Sequence, residues 1–312
     1  MKIIFFGNGK RAFLCLEFLL KNKIEITSVI TTEDELERKP SLIDLSKKNN
    51  IKYLITNTPN DEKTKSILKN NNPDLFVLGG YSKILKEDIL DIPKIFSINL
   101  HGGELPKYRG SSPLNWALIN GESEFSISII KVDKGVDTGD IIEQLKFEIN
   151  QNDNINDLHK KANKGFQKLL LKVINQVENK SYNLVPQRNK ERSYFPLRFK
   201  EDGFILFDQF NATQVHNIIR ALATPYPCAF SFYNSKKIFF EKSELSDIPF
   251  YGEPGRIYKK NEKGILICCK DKSLWITKAR FENGKDAINE LKRYEKLSTV
   301  RDSILNLLAR ES

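Results

Sequence analysis

Residues 95–142, IFSINLHGGELPKYRGSSPLNWALINGESEFSISIIKVDKGVDTGDII, contain the pattern that decides the fold. The apolar run Ile95–Leu100 predicts a buried β-strand that delivers Asn99 and His101 to its carboxyl end. A loop rich in Gly and Pro follows, and about one helix and one strand later Asp137 returns on a second loop, flanked by glycines. Polar side chains at the carboxyl ends of strands are typical of a ligand site in an α/β protein.

The chain around this stretch alternates apolar runs with amphipathic segments. The apolar runs predict β-strands, and segments with apolar residues three or four apart predict helices. Strands are predicted at Ile3–Phe6, Ile24–Ile30, Lys52–Ile55, Leu75–Leu78, Phe125–Val132 and Ile141–Phe147, and helices at Arg11–Lys21, Ser41–Asn49, Asp61–Asn70 and Ile155–Val177. We therefore predict an α/β fold with a doubly wound, Rossmann-like, mostly parallel sheet.

The last third of the chain follows a different pattern. Residues 181–203 are polar and irregular, which is typical of a linker. Short apolar runs punctuated by Pro and Gly then predict a small, OB-like β-barrel. The runs are Phe204–Phe207, Phe230–Tyr233, Ile238–Phe240, Gly255–Tyr258, Ile265–Cys269 and Leu274–Phe281, with helices at Asn217–Ala223 and Ala287–Leu308. We predict a first domain at residues 1–180, a linker at 181–203 and a β-barrel domain with a terminal helix at 204–312.

Composition excludes several classes of protein. The 312 residues, 40% of them hydrophobic, suffice for one large core and a smaller one. No apolar run reaches about 18 residues, so no membrane span is expected. The N-terminal MKIIFFGNGK ends its apolar run in Gly-Asn-Gly, which favours a first strand over a signal peptide. Four Cys residues without C-x-x-C spacing favour free thiols in the cytoplasm and no metal site.

The formal net charge of +10 suggests anionic partners. Residues 151–200 contain eleven Lys or Arg and four Asp or Glu, whereas residues 285–312 contain six basic and five acidic residues. Three interpretations of the basic stretch stay open: a solvated helix face, a basic rim beside a phosphorylated substrate, or a track for nucleic acid.

The first predicted strand leads directly into a Gly-containing turn. Residues 7–12, GNGKRA, open a predicted helix and match G-x-G-x-x-A. One interpretation is a dinucleotide site, with Glu33 or Asp34 as the acid that binds the ribose. A second is a tight turn that lets the helix pack against the sheet. In a third, the helix N-terminus, with Lys10 and Arg11, receives the diphosphate of a substrate.

Asn99, His101 and Asp137 have the groups that acyl transfer to an amine requires. An amide donates a hydrogen bond to the oxyanion, an imidazole handles a proton, and a carboxylate favours the charged imidazolium. We therefore predict these three residues as catalytic. The other two histidines, His159 and His216, lie on predicted helices at polar positions and are interpreted as incidental.

The order of these motifs resembles that of a known family. Asn-x-His, then L-P-x-[YW]-R-G, then D-x-G-D-I is the pattern of the N10-formyltetrahydrofolate-dependent formyltransferases, and residues 99–110 and 137–141 are similar to it. Residues 77–85, VLGGYSKIL, and 132–141, VDKGVDTGDI, look like the two walls of the family's folate site. The resemblance implies N10-formyltetrahydrofolate as cosubstrate, bound by Tyr81, Ile84, Leu85, Val136, Asp137 and Asp140.

Other residues resemble one branch of this family, the sugar-nucleotide N-formyltransferases. Residues 113–116, PLNW, and 194–205, YFPLRFKEDGFI, are similar to that branch. The methionyl-tRNA formyltransferases tend to have P-[IV]-Q-x-A-[IL] after the active-site loop. They also carry a longer Arg/Gly-rich insertion after the second strand, where this chain has only the short, acidic residues 31–40.

The resemblance implies transfer of a formyl group to the amine of an amino-deoxysugar linked to dTDP, UDP or GDP, for surface polysaccharide, lipopolysaccharide or O-antigen synthesis. The residues expected to bind this acceptor are Gly9, Lys10, Arg11, Gly102, Lys107, Tyr108 and Arg109. We expect a cytoplasmic homodimer with no membrane partner and no nucleic-acid partner. Methionyl-tRNA formyltransferase stays open as the alternative.

Overall fold

The computed structural model describes residues 1–234, 236–299 and 302. These residues form two compact units. The first consists of Met1–Pro113, Glu124–Phe147 and Lys160–Phe195, and the second of Leu114–Ser123, Glu148–His159 and the described residues of Pro196–Ser312. The units therefore differ from the continuous ranges predicted above.

Long-range hydrogen bonds explain why two short segments belong to the second unit. Nδ2 of Asn115 donates to the carbonyl of Ala221 at 2.8 Å. The buried guanidinium of Arg220 donates to the carbonyls of Asn150 and Asp153 at 3.2 and 3.0 Å. Buried polar groups need such partners, and sequence pattern does not reveal partners this far apart.

The described residues form fourteen strands and eight α-helices. The strands are β1 Ile3–Gly7, β2 Ile26–Thr31, β3 Lys52–Ile55, β4 Leu75–Gly79, β5 Phe96–His101, β6 Arg109–Gly110, β7 Glu124–Lys131, β8 Ile141–Glu148, β9 Tyr194–Phe195, β10 Ala229–Tyr233, β11 Lys236–Leu245, β12 Ile257–Asn261, β13 Gly264–Cys268 and β14 Ser273–Phe281. The helices are α1 Gly9–Lys21, α2 Leu42–Lys48, α3 Glu62–Asn70, α4 Glu87–Leu90, α5 Pro113–Asn120, α6 Ile155–Glu178, α7 Ala212–Ala221 and α8 Ala287–Glu290.

The first unit contains the predicted mostly parallel sheet. Its seven strands have the order β3-β2-β1-β4-β5-β7-β8, in which β1 to β5 pair in parallel and β7 pairs antiparallel to β5. The strand order reverses between β1 and β4, and such a switch point leaves a crevice at the carboxyl ends of the strands. The loops that follow β1, β4 and β5 therefore leave from the edge where a ligand is expected.

The core of this sheet follows from its sequence. Residues Ile3–Phe6 of β1 are fully buried, which is why this strand is a continuous apolar run rather than an alternating one. In α1, residues Ala12, Cys15, Leu16 and Leu19 form the buried stripe of an amphipathic helix. Burial raises the pKa of the Cys15 thiol to about 12. All four cysteines are buried free thiols.

The second unit is built on a five-stranded antiparallel sheet with the order β10-β11-β14-β13-β12. One chain segment joins its two edge strands. The amide of Tyr294 donates to the carbonyl of Ile257 in β12 at 2.7 Å, and the amide of Ser298 donates to the carbonyl of Phe232 in β10 at 2.9 Å. This segment closes the sheet in the way that the predicted barrel requires.

Two predicted elements of the second unit differ in the structure. Phe204–Phe207 is not a strand, because only Phe204 makes an isolated bridge, to Phe230. The predicted helix Ala287–Leu308 is interrupted after Ala287–Glu290, since residues 291–299 are extended or turn to reach β10 and β12. The remainder of that prediction lies almost entirely outside the described residues.

The predicted linker at 181–203 is wrong for its first half. Val185 forms a bridge with Ile141, and β9 pairs in parallel with β6 in the active-site loop. Residues 181–195 thus pack on the first unit. Three of their polar side chains, Gln187, Ser193 and Tyr194, form hydrogen bonds to Tyr108 or Arg109.

No described helix combines the length and the apolar character that crossing a membrane would require.

Candidate active site

The three predicted catalytic side chains meet in the structure. Asn99 and His101 lie at the carboxyl end of β5, and Asp137 lies on the loop between β7 and β8. Nδ1 of His101 is 3.4 Å from Oδ1 of Asp137. Nδ2 of Asn99 donates to the same oxygen at 3.4 Å. Because β7 runs antiparallel to β5 and ends beside Ile98, it is the loop after β7 that brings Asp137 back to Asn99 and His101.

Both ring nitrogens of His101 face oxygen atoms. Nε2 lies 2.7 Å from the carbonyl oxygen of Tyr108, and Nδ1 faces the Asp137 carboxylate. A carbonyl only accepts hydrogen bonds, so Nε2 carries the proton in this geometry. An imidazolium is the form that donates to both oxygens at once. The side chain is only 5% exposed, so water competes little for these contacts.

Asp137 is held from several directions. Its side chain is 12% exposed, and Oδ2 accepts a 3.0 Å hydrogen bond from the Gly110 amide. Burial alone would raise the pKa of this carboxyl, but the hydrogen bond and charge of His101, the Gly110 amide and the charge of Arg109 outweigh burial and lower the pKa below its ordinary value. The residue has a left-handed backbone, with φ of 53°, which Asp tolerates better than most residues.

A cavity of about 280 Å³ opens beside Asn99 and Asp137. Its lining comes from two stretches, residues 81–85 after β4 and residues 132–138 before β8, together with Leu78 and Ile130. The predicted residues Tyr81, Ile84, Leu85, Val136 and Asp137 therefore line one cavity. Asp140 is not among the residues that line this cavity, and its carbonyl accepts the Lys131 amide at 2.9 Å, so its role in binding the cosubstrate stays a prediction.

The cavity has features that a flat, polar-edged ligand would satisfy. The side chains of Ile84 and Val136 are 77% and 55% exposed, which is high for aliphatic residues. The Tyr81 hydroxyl is buried without a hydrogen-bond partner, and burial raises its pKa to about 12. Asn60 fixes the first wall, since its Nδ2 donates to the Ile84 carbonyl and its Oδ1 accepts from the Lys86 amide. The Ile84 carbonyl is therefore already engaged.

The turn after β1 is occupied by the protein itself. The Gly9 amide donates at 2.9 Å to Oε2 of Glu35, a fully buried carboxylate whose Oε1 accepts from the Leu42 amide at 3.1 Å. Arg38 pairs with the same carboxylate at 3.5 Å. A carboxylate at the N-terminus of α1 takes the place that a phosphate has in a dinucleotide site. The structure therefore argues against a dinucleotide or diphosphate on the Gly9 amide.

The predicted acceptor-binding residues differ in where the structure places them. Arg11 is brought to the site: its guanidinium stacks over the ring of Phe166 at 4.8 Å and lies against Gly102, where Nη2 would be 3.2 Å from an added Cβ. Lys10 and Lys107 are exposed, and neither makes an ion pair or hydrogen bond within the described part of the chain.

Tyr108 and Arg109 are buried, contrary to the prediction that they contact the acceptor. The ring of Tyr108 stacks on Phe195 with centroids 4.7 Å apart. Arg109 is 1% exposed, and its guanidinium donates to Gln187 and Tyr194. These contacts commit both side chains to the protein interior, so a diphosphate role for Arg109 is wrong.

Sequence reasoning missed Gln187, Ser193 and Tyr194. Oγ of Ser193 accepts from the Tyr108 amide at 3.1 Å, and its carbonyl accepts from the Arg109 amide at 3.0 Å. These residues lie in the polar stretch read as a linker, which has no periodicity. The adjacent aromatic pair Tyr194–Phe195 was the one local signal of packing there.

No group of three or more His, Cys, Asp or Glu side chains able to hold a metal ion occurs in residues 1–234, 236–299 and 302.

Two family models match this chain. A family model described as "Formyl transferase" matches residues 1–174, and one described as "Formyl transferase, C-terminal domain" matches residues 198–290. The chain is 36% identical to the bifunctional polymyxin resistance protein ArnA of Wigglesworthia glossinidia brevipalpis, over 90% of this chain and 43% of that protein. It thus spans less than half of that relative. It is 31% identical to the methionyl-tRNA formyltransferase of Acetivibrio thermocellus, over 91% of this chain and 93% of that enzyme.

Two solved structures have a similar fold and 26% sequence identity. One is the N-formyltransferase of Helicobacter canadensis in complex with folinic acid and dTDP-3-aminofucose, with a TM-score of 0.69 over 88% of this chain and 97% of that chain. The other is WlaRD, a sugar 3N-formyl transferase in the presence of dTDP and 5-N-formyl-THF, also with a TM-score of 0.69, over 91% and 98%. Because the first family model alone covers more than half of the chain, the protein belongs to the formyl transferase family.

Proposed function

We propose that this protein transfers the formyl group of N10-formyltetrahydrofolate to the amine of a nucleotide-linked amino-deoxysugar. The observation that carries the proposal is the meeting of Asn99, His101 and Asp137 at one wall of the cavity lined by residues 81–85 and 132–138. Such an arrangement puts a hydrogen-bond donor, a cation and a carboxylate beside one bound reacting group.

The cavity suits the formyl donor. The exposed aliphatic side chains of Ile84 and Val136 would cover the faces of a pterin ring, and the buried Tyr81 hydroxyl would gain the partner that it lacks. The amide and carbonyl of Leu85 have no hydrogen-bond partner within the described residues, so they are available to the polar edge of the ring. Folinic acid bound to the Helicobacter canadensis enzyme supports this choice of ligand class.

The chemical step follows from the contacts of the three side chains. The neutral amine attacks the formyl carbon, so a C–N bond forms and the carbonyl oxygen becomes an oxyanion. The bond from this carbon to N10 then breaks, and the proton lost by the amine goes to N10. Asn99 has a second N–H to donate to the oxyanion. Because Nε2 of His101 is engaged by Tyr108, His101 contributes mainly its positive charge.

Asp137 is the group that can take the proton from the attacking amine. Its carboxylate has about four lone-pair positions, of which the described structure uses three, with His101, Asn99 and Gly110. The pKa of Asp137 is lowered, so the carboxyl is ionised at neutral pH and has a lone pair that can receive the proton. It then passes the proton on to N10, directly or through water.

Several features favour a sugar nucleotide over methionyl-tRNA as acceptor. The H. canadensis enzyme and WlaRD, each aligned over 97% or more of its own length, are described with dTDP-3-aminofucose or dTDP. The loop after β2 is short, and its two basic residues, Arg38 and Lys39, form ion pairs with Glu35 and Asp44. In α6 the lysines at 160, 164 and 168 are exposed and opposite a buried apolar stripe, as in any amphipathic helix.

Methionyl-tRNA formylation is the alternative, because relatives with that name are 31–32% identical over nearly their whole length. The decisive experiment offers one formyl donor, N10-formyltetrahydrofolate, to a panel of dTDP-, UDP- and GDP-linked amino sugars and to methionyl-tRNA at near-physiological salt. We expect a formylated sugar nucleotide and no formyl-methionyl-tRNA. Efficient transfer to methionyl-tRNA, with none to any sugar nucleotide, would overturn the proposal.

A further inference from the structure

We propose that Gln187 is a positioning residue that clamps the Asp137 loop to the Arg109 loop and so holds the Asp137 carboxylate against His101. This inference rests on the proposed function, because it assigns Gln187 a role through Asp137. Gln187 lies in the polar stretch between α6 and β9, outside both the cavity lining and the family's three motifs.

The side-chain amide of Gln187 is fully used. Its Nε2 donates to the carbonyls of Asp137 and Gly139 at 2.9 and 2.7 Å. Its Oε1 accepts from Nε and Nη2 of Arg109 at 3.0 and 2.7 Å. An amide has two N–H donors and two acceptor lone pairs, so all four are satisfied. This arrangement joins the loop of Arg109 to the loop of Asp137 through a third segment of the chain.

The segment that carries Gln187 is itself fixed on both sides. The amide and carbonyl of Val185 exchange 2.9 Å hydrogen bonds with Ile141 at the start of β8. On the other side, the Ser111 amide donates to the Phe195 carbonyl at 2.9 Å. Gln187 is therefore presented by an anchored backbone, which lets a single side chain resist movement of the two loops.

The clamp acts on the catalytic carboxylate in two ways. It holds the carbonyls on either side of the 137–139 turn, where Asp137 has φ of 53°. It also fixes Arg109, whose charge helps to lower the pKa of Asp137, and whose neighbour Gly110 donates to Asp137 Oδ2. Loss of the Gln187 contacts would loosen both loops. A displacement of about 1 Å of a catalytic group such as the Asp137 carboxylate can lower the rate about a hundredfold.

The test compares two substitutions of similar size. Gln187→Met keeps the length without charge and loses both arms of the clamp, whereas Gln187→Glu keeps an acceptor for Arg109 and loses the donors to the loop carbonyls. We expect both variants to lower kcat about 10–100-fold at a pH where the acceptor amine is neutral. Gln167→Glu is the matched control, because Gln167 donates to the Leu14 carbonyl within the same unit and not to either of the two loops. It should keep wild-type kcat.

A second readout separates positioning from general stability. The titration of the Asp137 carboxyl, followed by ¹³C NMR and assigned with Asp137→Asn, should move to higher pH in Gln187→Met, because contacts that favour the carboxylate are weakened. A purely structural role would lower the melting temperature and leave the titration in place. If Gln187→Met does not fold, Tyr194→Phe removes only the hydroxyl that accepts from Arg109 Nη1 and should shift the titration in the same direction.

The outcomes keep the inference distinct from the proposed function. If Gln187→Glu keeps the wild-type kcat, the only role of Gln187 is to accept hydrogen bonds from Arg109, and the clamp is overturned. An unchanged Asp137 titration in both Gln187→Met and Tyr194→Phe would overturn it as well. The NMR titration needs no acceptor. A moved titration in a protein that formylates no amino sugar would keep the clamp and reject the proposed function.

Discussion

The imidazole of His101 occupies the space that a side chain at Gly103 would need. Nε2 of His101 and the carbonyl oxygen of Tyr108 would lie 2.5 and 2.7 Å from a Cβ atom on residue 103. The same two atoms form the 2.7 Å contact that orients the ring. The oriented imidazole and a side chain at position 103 therefore exclude each other, so glycine is required there by sterics rather than by backbone angle.

Gly103→Ala should consequently lower kcat by about a hundredfold, because the ring has to leave its position. Gly102→Ala is the natural comparison, since its Cβ would meet the flexible end of Arg11 at 3.2 Å instead. We expect that variant to raise the KM of the acceptor with a smaller effect on kcat. Steady-state kinetics of both variants check this. Equal losses of kcat would mean that the two glycines act through loop flexibility and not through His101.

His101→Ala should lower kcat by roughly 10²–10⁴-fold without unfolding the protein, the range for loss of one group that handles protons and charge. Removal of the ring leaves a cavity, so thermal unfolding should be measured beside the kinetics. A folded variant that keeps most of the wild-type activity would remove His101 from the mechanism.

Asp137→Asn should be at least as damaging as His101→Ala, because it removes both the partner of the imidazolium and the proton acceptor. Asn tolerates the left-handed backbone, so the loop should survive. The double variant should be hardly slower than the worse single variant, since residues that act as a unit are not additive. If the losses of kcat in the two single variants multiply in the double variant, the two side chains act separately.

Asp137 should also couple stability to pH. Its pKa is lowered in the folded protein, so its contribution to the free energy of unfolding is present above the unfolded value of about 3.9 and is lost as the pH falls through the folded value. The difference in urea stability between wild type and Asp137→Asn should therefore be larger at pH 7 than below pH 4. A difference independent of pH would contradict the ionised state of the carboxyl.

Tyr81→Phe should separate stability from donor binding. The hydroxyl is buried without a partner, so its removal should leave the free energy of unfolding unchanged or raise it by about 1 kcal/mol. If this hydroxyl binds the formyl donor, the same variant should raise the dissociation constant of folinic acid about 5–20-fold. Urea unfolding and calorimetric titration give the two quantities. Unchanged folinic acid binding would place the ligand away from Tyr81.

Much of the fold was predictable because it depends on neighbours in sequence. The strand Lys52–Ile55 occurs with the predicted bounds, and Asn99 and His101 do lie at the end of β5. Apolar runs and helical periodicity are local properties of the sequence. Because the carboxyl ends of parallel strands lie at one edge of the sheet, the strand predictions also predict where the site lies. The sequence by itself therefore determined the layered α/β architecture, the closed second sheet and the family motifs.

Only the tertiary structure decided which charged residues face a ligand. Arg109 and Lys107 look alike as basic loop residues, yet Arg109 is buried by Gln187 and Tyr194, 78 and 85 residues further along the chain. Glu35 caps Gly9 from 26 residues away, and nothing in the acidic loop sets it apart from Glu33. Hydrogen bonds between distant segments produce no periodic pattern in the sequence, because a single side chain of suitable length is enough to form them.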